Sequence, residues 1–141
     1  MCLDSNAEFM VSTDIGYKYF RPHFMDINKL LPQFSGREFQ HLVYKNNDGP
    51  YSFKEWINDT STGQLPYSQL IHNEFSGMRE VYQSGFHIYV YAPTSPYNNE
   101  VIRYDGKANL YKIEYKNIVA KGIKDGRRVI VARSMRILYQ M

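Results

Sequence analysis

The alternation of apolar and polar positions is clearest in the last third of the chain. Between Leu110 and Ala120, Tyr111, Ile113 and Tyr115 oppose Lys112, Glu114 and Lys116, the period of two expected of a strand with one buried face. Lys124-Asp125-Gly126 then reads as a hairpin turn. Arg128 to Leu138 is the returning strand, with Val129, Val131, Met135 and Ile137 on one face, interrupted by Arg133. Upstream, Phe86 to Tyr91 is dense in aromatic and β-branched residues, follows a break at Ser84-Gly85 and stops before Pro93. Asp14 to Phe20 alternates Ile15, Tyr17 and Tyr19 against Gly16 and Lys18, which predicts a half-buried strand ended by Arg21-Pro22. Phe39 to Tyr44 reads as another strand, followed by a strong turn signal at residues 46–50.

Between these strands the spacing changes to that of helices. Asp26 is placed to cap a short helix with Ile27, Leu30 and Leu31 on one face, closed by Pro32. Ser52-x-x-Glu55 has the form of a capping box, after which Phe53, Trp56 and Ile57 share a helical face. From Pro66 to Ser84, Ile71, Phe75, Met78 and Tyr82 fall at helical spacing, weakened by Gly77 in the middle. Residues 1–12 lack periodicity and are expected to be loosely held. The prediction is one α+β domain over residues 13–141: a mostly antiparallel sheet with two or three short helices packed on one side.

Composition narrows the class. A chain of 141 residues, 16.6 kDa and 43% apolar content suits one domain with its own core. No stretch approaches the 18 or more apolar residues of a membrane helix. The start, with Asp4 and Glu8, lacks the basic and apolar regions of a secretory signal. Cys2 is the single cysteine, so an intramolecular disulfide and multi-cysteine zinc sites are excluded. A soluble protein of a reducing, cytoplasmic compartment with no membrane partner is the expectation.

The net charge of +3 conceals a division. Residues 1–100 carry 7 Lys+Arg and 11 Asp+Glu (−4), whereas residues 101–141 carry 10 and 3 (+7). Lys112, Lys116, Lys121, Lys124, Arg127, Arg128, Arg133 and Arg136 are positioned to meet phosphates, beside Tyr104, Tyr111 and Tyr115 as stacking faces. The alternation at 110–116, however, sends lysines and tyrosines to opposite faces of one strand. A tyrosine-rich surface also suits a protein interface.

Catalytic patterns are thin. Asp105, Glu114 and Lys116 resemble the carboxylates and lysine of PD-(D/E)xK metal-dependent nucleases, but Tyr104 stands where that motif has proline. A divergent ADP-ribosyl-transferring enzyme would draw on Glu100 or Glu114, with Tyr82 and His87 as ligand contacts. His87 opens a strand directly after a break, a position that often lines a site. The sequence presents no phosphate-binding glycine loop, nucleophile elbow or metal-ligand spacing. No catalytic residue, metal or cofactor is therefore predicted. The candidate ligand-binding residues are His87, Tyr82, Tyr89, Arg103, Lys112, Lys116, Arg128 and Arg133.

The opening Met1-Cys2-Leu3, the Gly16-Tyr17-Lys18 strand, Ser84-Gly85-Phe86-His87 and the closing Val131-Ala132-Arg133-Ser134-Met135-Arg136-Ile137-Leu138 together resemble small bacteriophage accessory proteins. Ser134 stands where that pattern more often has an acid. The resemblance implies no established activity. It implies a setting in a bacterial cytoplasm, where such proteins act against host defences. The expected function is a non-enzymatic binding protein that blocks a host protein or sequesters a nucleotide signal. The alternatives are a nucleotide- or nucleic-acid-acting enzyme and a general RNA- or DNA-binding protein. The apolar end Ile137-Leu138-Tyr139 also offers a strand for pairing across a two-fold axis, as in a homodimer.

Overall fold

A computed structural model describes residues 3–22, 29–32, 50–60, 62–67, 81–93 and 109–141. Ten strands occur in this part: β1 (Ser5–Asn6), β2 (Ile15–Pro22), β3 (Lys29–Pro32), β4 (Tyr51–Ser52), β5 (Ile57–Asn58), β6 (Gln64–Pro66), β7 (Val81–Gln83), β8 (Phe86–Tyr89), β9 (Asn109–Lys124) and β10 (Arg127–Gln140). The main sheet runs β1-β9-β10-β8-β2-β3-β4, with β5 added to β10 and a further pairing of β9 with β2. That last pairing closes β9, β10, β8 and β2 into an antiparallel ring, a small barrel. β6 and β7 form a separate hairpin.

Two long strands make closure feasible, because each serves different neighbours along its length. The start of β9 pairs with β2 and its end with β1. β10 pairs first with β8 and then with β5. Shifts of register between Val131 and Ala132 and between Ile137 and Tyr139 bend the β9–β10 ribbon. Asn117 lies in this ribbon with φ 64°, a left-handed conformation that asparagine tolerates better than most residues. At Ile137 both sides of β10 are engaged, by Ile113 of β9 and by Phe53 and the Lys54 amide.

Two apolar clusters lie on either side of the barrel wall. The inner one holds Phe20, Phe86, Ile88, Tyr111, Ile113, Tyr115, Ile130, Met135 and Ile137, extended by Leu30 and Tyr51. The outer one gathers Tyr19, Tyr89, Val129 and Val131 beneath Leu65, Tyr67 and Tyr82 of the β6–β7 region and Leu3 of the N-terminal segment. This double coverage explains why Phe86–Tyr89 and Val129–Ala132 are buried on both faces.

The predicted α+β class is corrected: no helix occurs among the described residues. Ser52 lies in β4, Phe53 bridges Ile137 and Ile57 pairs with Met135, so the capping-box segment is a turn at Lys54 (φ 65°) between two short strands, held against β10. Leu30 and Leu31, assigned to a short helix, are in β3, and the ends of the predicted 66–84 helix are in β6 and β7. The predicted helix from Asp26 begins outside the described residues, as do the strand at 39–44 and the interior of the 66–84 helix. Helices of one or two turns are marginal by themselves, so strand partners decide such segments. β2 carries a second correction. Its inner face is Gly16, Lys18 and Phe20, opposite Ile113, Tyr111 and Asn109, whereas Ile15, Tyr17 and Tyr19 face outward.

Candidate cation–aromatic face

On the outer side of the β2–β9–β10 wall, the register places Tyr17 and Tyr139 beside Lys112, and Ile15 and Arg136 beside Glu114. Lys116 is one step further along β9. The expectation that the β9 tyrosines turn away from these lysines holds in the structure: Tyr111 and Tyr115 are buried in the inner cluster. Rings nevertheless reach the lysines from other segments. The turn between β4 and β5 and the end of β5 are fixed to β10 by Lys54 N–H donating to Ile137 O (2.8 Å) and Asp59 N–H donating to Arg133 O (2.8 Å). This lays Trp56 over the cations, with Lys116 Nζ 4.1 Å and the Arg136 guanidinium 5.1 Å from its ring centre.

Arg136 also forms an ion pair with Glu114, which leaves that acid engaged within the face. Lys112 Nζ lies 5.6 Å from the centre of the Tyr139 ring. Interaction with the Tyr139 hydroxyl holds its pKa above the ordinary value, so it is cationic at neutral pH. Trp56 and Tyr139 are 37% and 52% exposed, so both rings retain surface for a partner. Such an arrangement offers point charges at the height of flat apolar planes, the combination that holds a phosphate next to a stacked ring.

The other nominated residues do not converge on this face. His87 and Tyr82 meet in the outer cluster, both buried. Gly85 O accepts from His87 Nδ1 (3.2 Å), which puts the imidazole proton on Nδ1 and leaves Nε2 to accept from the Tyr82 hydroxyl (2.9 Å). Tyr82 Oη in turn accepts from the Leu3 amide (2.8 Å). Burial, aided by nearby positive charge that includes Lys18, pushes the His87 pKa well below its usual value and keeps the ring neutral. Lys18 Nζ donates to the His87 carbonyl (2.8 Å), and burial lowers its pKa to about 8. This is a directional hydrogen-bond chain that ties the N-terminal segment, β7, β8 and β2 together.

Tyr89 is buried edge-on to Tyr19, with the Arg127 guanidinium 5.8 Å from its ring centre. Arg128 sits over Phe9, which Lys121 also approaches. Arg133 donates to Ser84 O (2.6 Å) and lies 3.5 Å from the Asp59 carboxylate, where it joins β10 to the β5 and β7 segments. Arg103, Asp105, Tyr104 and Glu100 lie outside the described residues. The sequence thus showed Lys112, Lys116 and Arg136 as cations but not Trp56 and Tyr139 as their rings, nor Phe9 as the ring beside Arg128 and Lys121. The one available signal was that Trp56 is the only tryptophan in the chain.

Among the described residues no group of three or more His, Cys, Asp or Glu side chains is placed to hold a metal ion, and no helix is long and apolar enough to cross a membrane. Comparison with protein-family models, curated proteins and solved structures finds no match to the chain.

Proposed function

We propose that the chain is a non-enzymatic binding protein whose β2–β9–β10 face takes single-stranded nucleic acid. The observation that carries this reading is Trp56, part-exposed and flanked by Lys116 and Arg136 on the same side of the sheet as Lys112 and Tyr139. Bases would stack on the indole and the phenol, and phosphates would meet Lys112 and Lys116. The resemblance to phage accessory proteins supports a setting in which such binding withholds a nucleic acid from a host system.

Because Trp56 is the only tryptophan, its fluorescence reports on this face directly. Titration with a ten-nucleotide single-stranded oligonucleotide is expected to quench it saturably. Two lysines meeting phosphates predict that log K falls with log salt at a slope of about −1.4. Lys116→Ala should weaken binding by about tenfold, within the range for a hydrogen bond to a charged group. A flat salt slope, or fluorescence indifferent to the oligonucleotide, would overturn the proposal. Saturable quenching by an acidic protein but not by the oligonucleotide would replace nucleic acid with a protein partner.

A further inference from the structure

The cation–aromatic face holds an acid at its centre. Lys112, Glu114 and Lys116 follow one another along the outer side of β9. At about 3.3 Å of strand per residue, each lysine stands roughly 7 Å along β9 from Glu114. The row of Lys112 carries Tyr17 and Tyr139, and Trp56 covers Lys116 and Arg136. Glu114 therefore occupies the row between two part-exposed rings, with Ile15 to one side and Arg136 to the other.

The ion pair with Arg136 engages one oxygen of this carboxylate. Arg136 Nε donates to Oε1, whereas Oε2 has no hydrogen-bond partner among the described residues. The Glu114 side chain keeps 27% of its surface exposed. Neither lysine is drawn to it: Lys116 lies under the indole and Lys112 interacts with the Tyr139 hydroxyl. Among the described residues no metal-ligating group gathers around it.

For phosphate such an acid is a liability, because a negative charge between two lysines weakens their attraction. What it adds is acceptors. A carboxylate offers about four lone-pair sites, and Arg136 fills one of them. On the Watson–Crick edge, guanine is the base with two adjacent donors, N1–H and the N2 amine. Adenine and cytosine would turn a ring-nitrogen acceptor toward the same carboxylate. Thymine and uracil flank their one N–H with two carbonyl oxygens, so these bases too meet repulsion there.

We propose that Glu114 makes this face selective for guanine. A base standing between Trp56 and Tyr139 donates N1–H and N2–H to the Glu114 carboxylate, and Lys112 and Lys116 take neighbouring phosphates. This rests on the reading of the face as a single-strand site and names the base that it prefers.

The probes are ten-nucleotide DNA strands of thymidine that carry dG, dA, dC, deoxyinosine or dT at one central position. Affinity is read from the midpoint of the Trp56 fluorescence titration, since the depth of quenching varies with the base. The dG strand is expected to bind the parent chain about tenfold more tightly than the dA, dC and dT strands. Deoxyinosine, which lacks the N2 amine, should fall between. Glu114→Gln should erase the preference for dG and bind the all-thymidine strand more tightly, because a negative charge has left the face. Lys112→Ala should weaken the dG and dT strands by a similar factor and preserve their ratio, as loss of a phosphate contact does. Equal midpoints for all five strands on the parent chain would overturn the guanine assignment and leave the single-strand reading in place. A preference for dG that survives in Glu114→Gln would overturn it as well. If none of the strands binds, both readings fall.

Discussion

Gly16→Ala is expected to remove about 3 kcal/mol of stability, and Gly16→Val to leave the chain unable to reach its native fold. Gly16 faces the barrel interior at the seam where β2 meets β8 through the Tyr17–Tyr89 pair. A Cβ there would fall against Ile88 Cγ2 and stand 2.9 Å from the Tyr89 carbonyl oxygen, with Tyr115 Cε1 at 3.4 Å. Ile88 and Tyr115 are fully buried or nearly so, and the third neighbour is backbone. None can yield without opening the seam that closes the ring. Overpacking of this kind costs about 1–3 kcal/mol per intrusion, against about 5–15 kcal/mol for a whole domain.

Gly126→Ala is the control. Its Cβ would meet nothing within 4 Å, so only the positive φ opposes it, at a cost of about 1–2 kcal/mol. Urea unfolding of the three chains checks the ranking. A Gly16→Ala chain as stable as the parent would show that β2 and β8 are not in close contact there.

Gly16 also shows where the sequence is readable and where it is not. The β9–β10 hairpin was legible because its period of two and its Asp-Gly turn are local signals that agree with each other. β2 was legible as a strand, but its inner face was not. Tyr17 and Tyr19 look like the buried side, yet Tyr19 is buried from outside by the β6–β7 layer, and the interior keeps a glycine and a lysine. Such an inversion arises when both faces of a strand are covered. The 53–57 segment misled for a related reason. Phe53, Trp56 and Ile57 fit one helical face, but Phe53 and Ile57 are held by Ile137 and Met135, about eighty residues later in the chain. No periodicity announced that Leu3 is fully buried or that Ser5 and Asn6 pair with β9. On the candidate face, the cations of β9 could be read from alternation within one strand. Their rings could not, because Trp56 and Tyr139 reach them only through tertiary pairing.

The largest pH effect is expected from His87, and its sign follows from the chain of hydrogen bonds around it. In the fold, Nε2 must accept from Tyr82 while Nδ1 donates to Gly85, which requires the neutral ring. Burial depresses the folded pKa well below the ordinary value of 6.5, with Lys18 and Lys124 adding to the effect. The unfolded chain therefore takes up a proton near pH 6.5 that the folded chain refuses. The stability linked to this group is complete above pH 6.5 and falls below it, by about 1.4 kcal/mol for each pH unit until the folded ring protonates. The loss grows as the pH is lowered from 6.5 towards the depressed pKa of the folded ring. Protonation would turn Nε2 into a donor facing a hydroxyl that now donates to it. The Tyr82 hydroxyl must then reorient, and the link through Tyr82 to the Leu3 amide weakens. His87→Gln keeps an acceptor for Tyr82 and a donor for Gly85 but does not titrate. Urea unfolding of both chains at intervals from pH 7.5 to 5 isolates His87, since the difference between them cancels His23, His41 and His72. The parent should lose stability faster than the variant below pH 6.5, by one proton's slope. Parallel curves would mean that His87 titrates alike in both states, and the buried chain from Leu3 through Tyr82 would have to be abandoned.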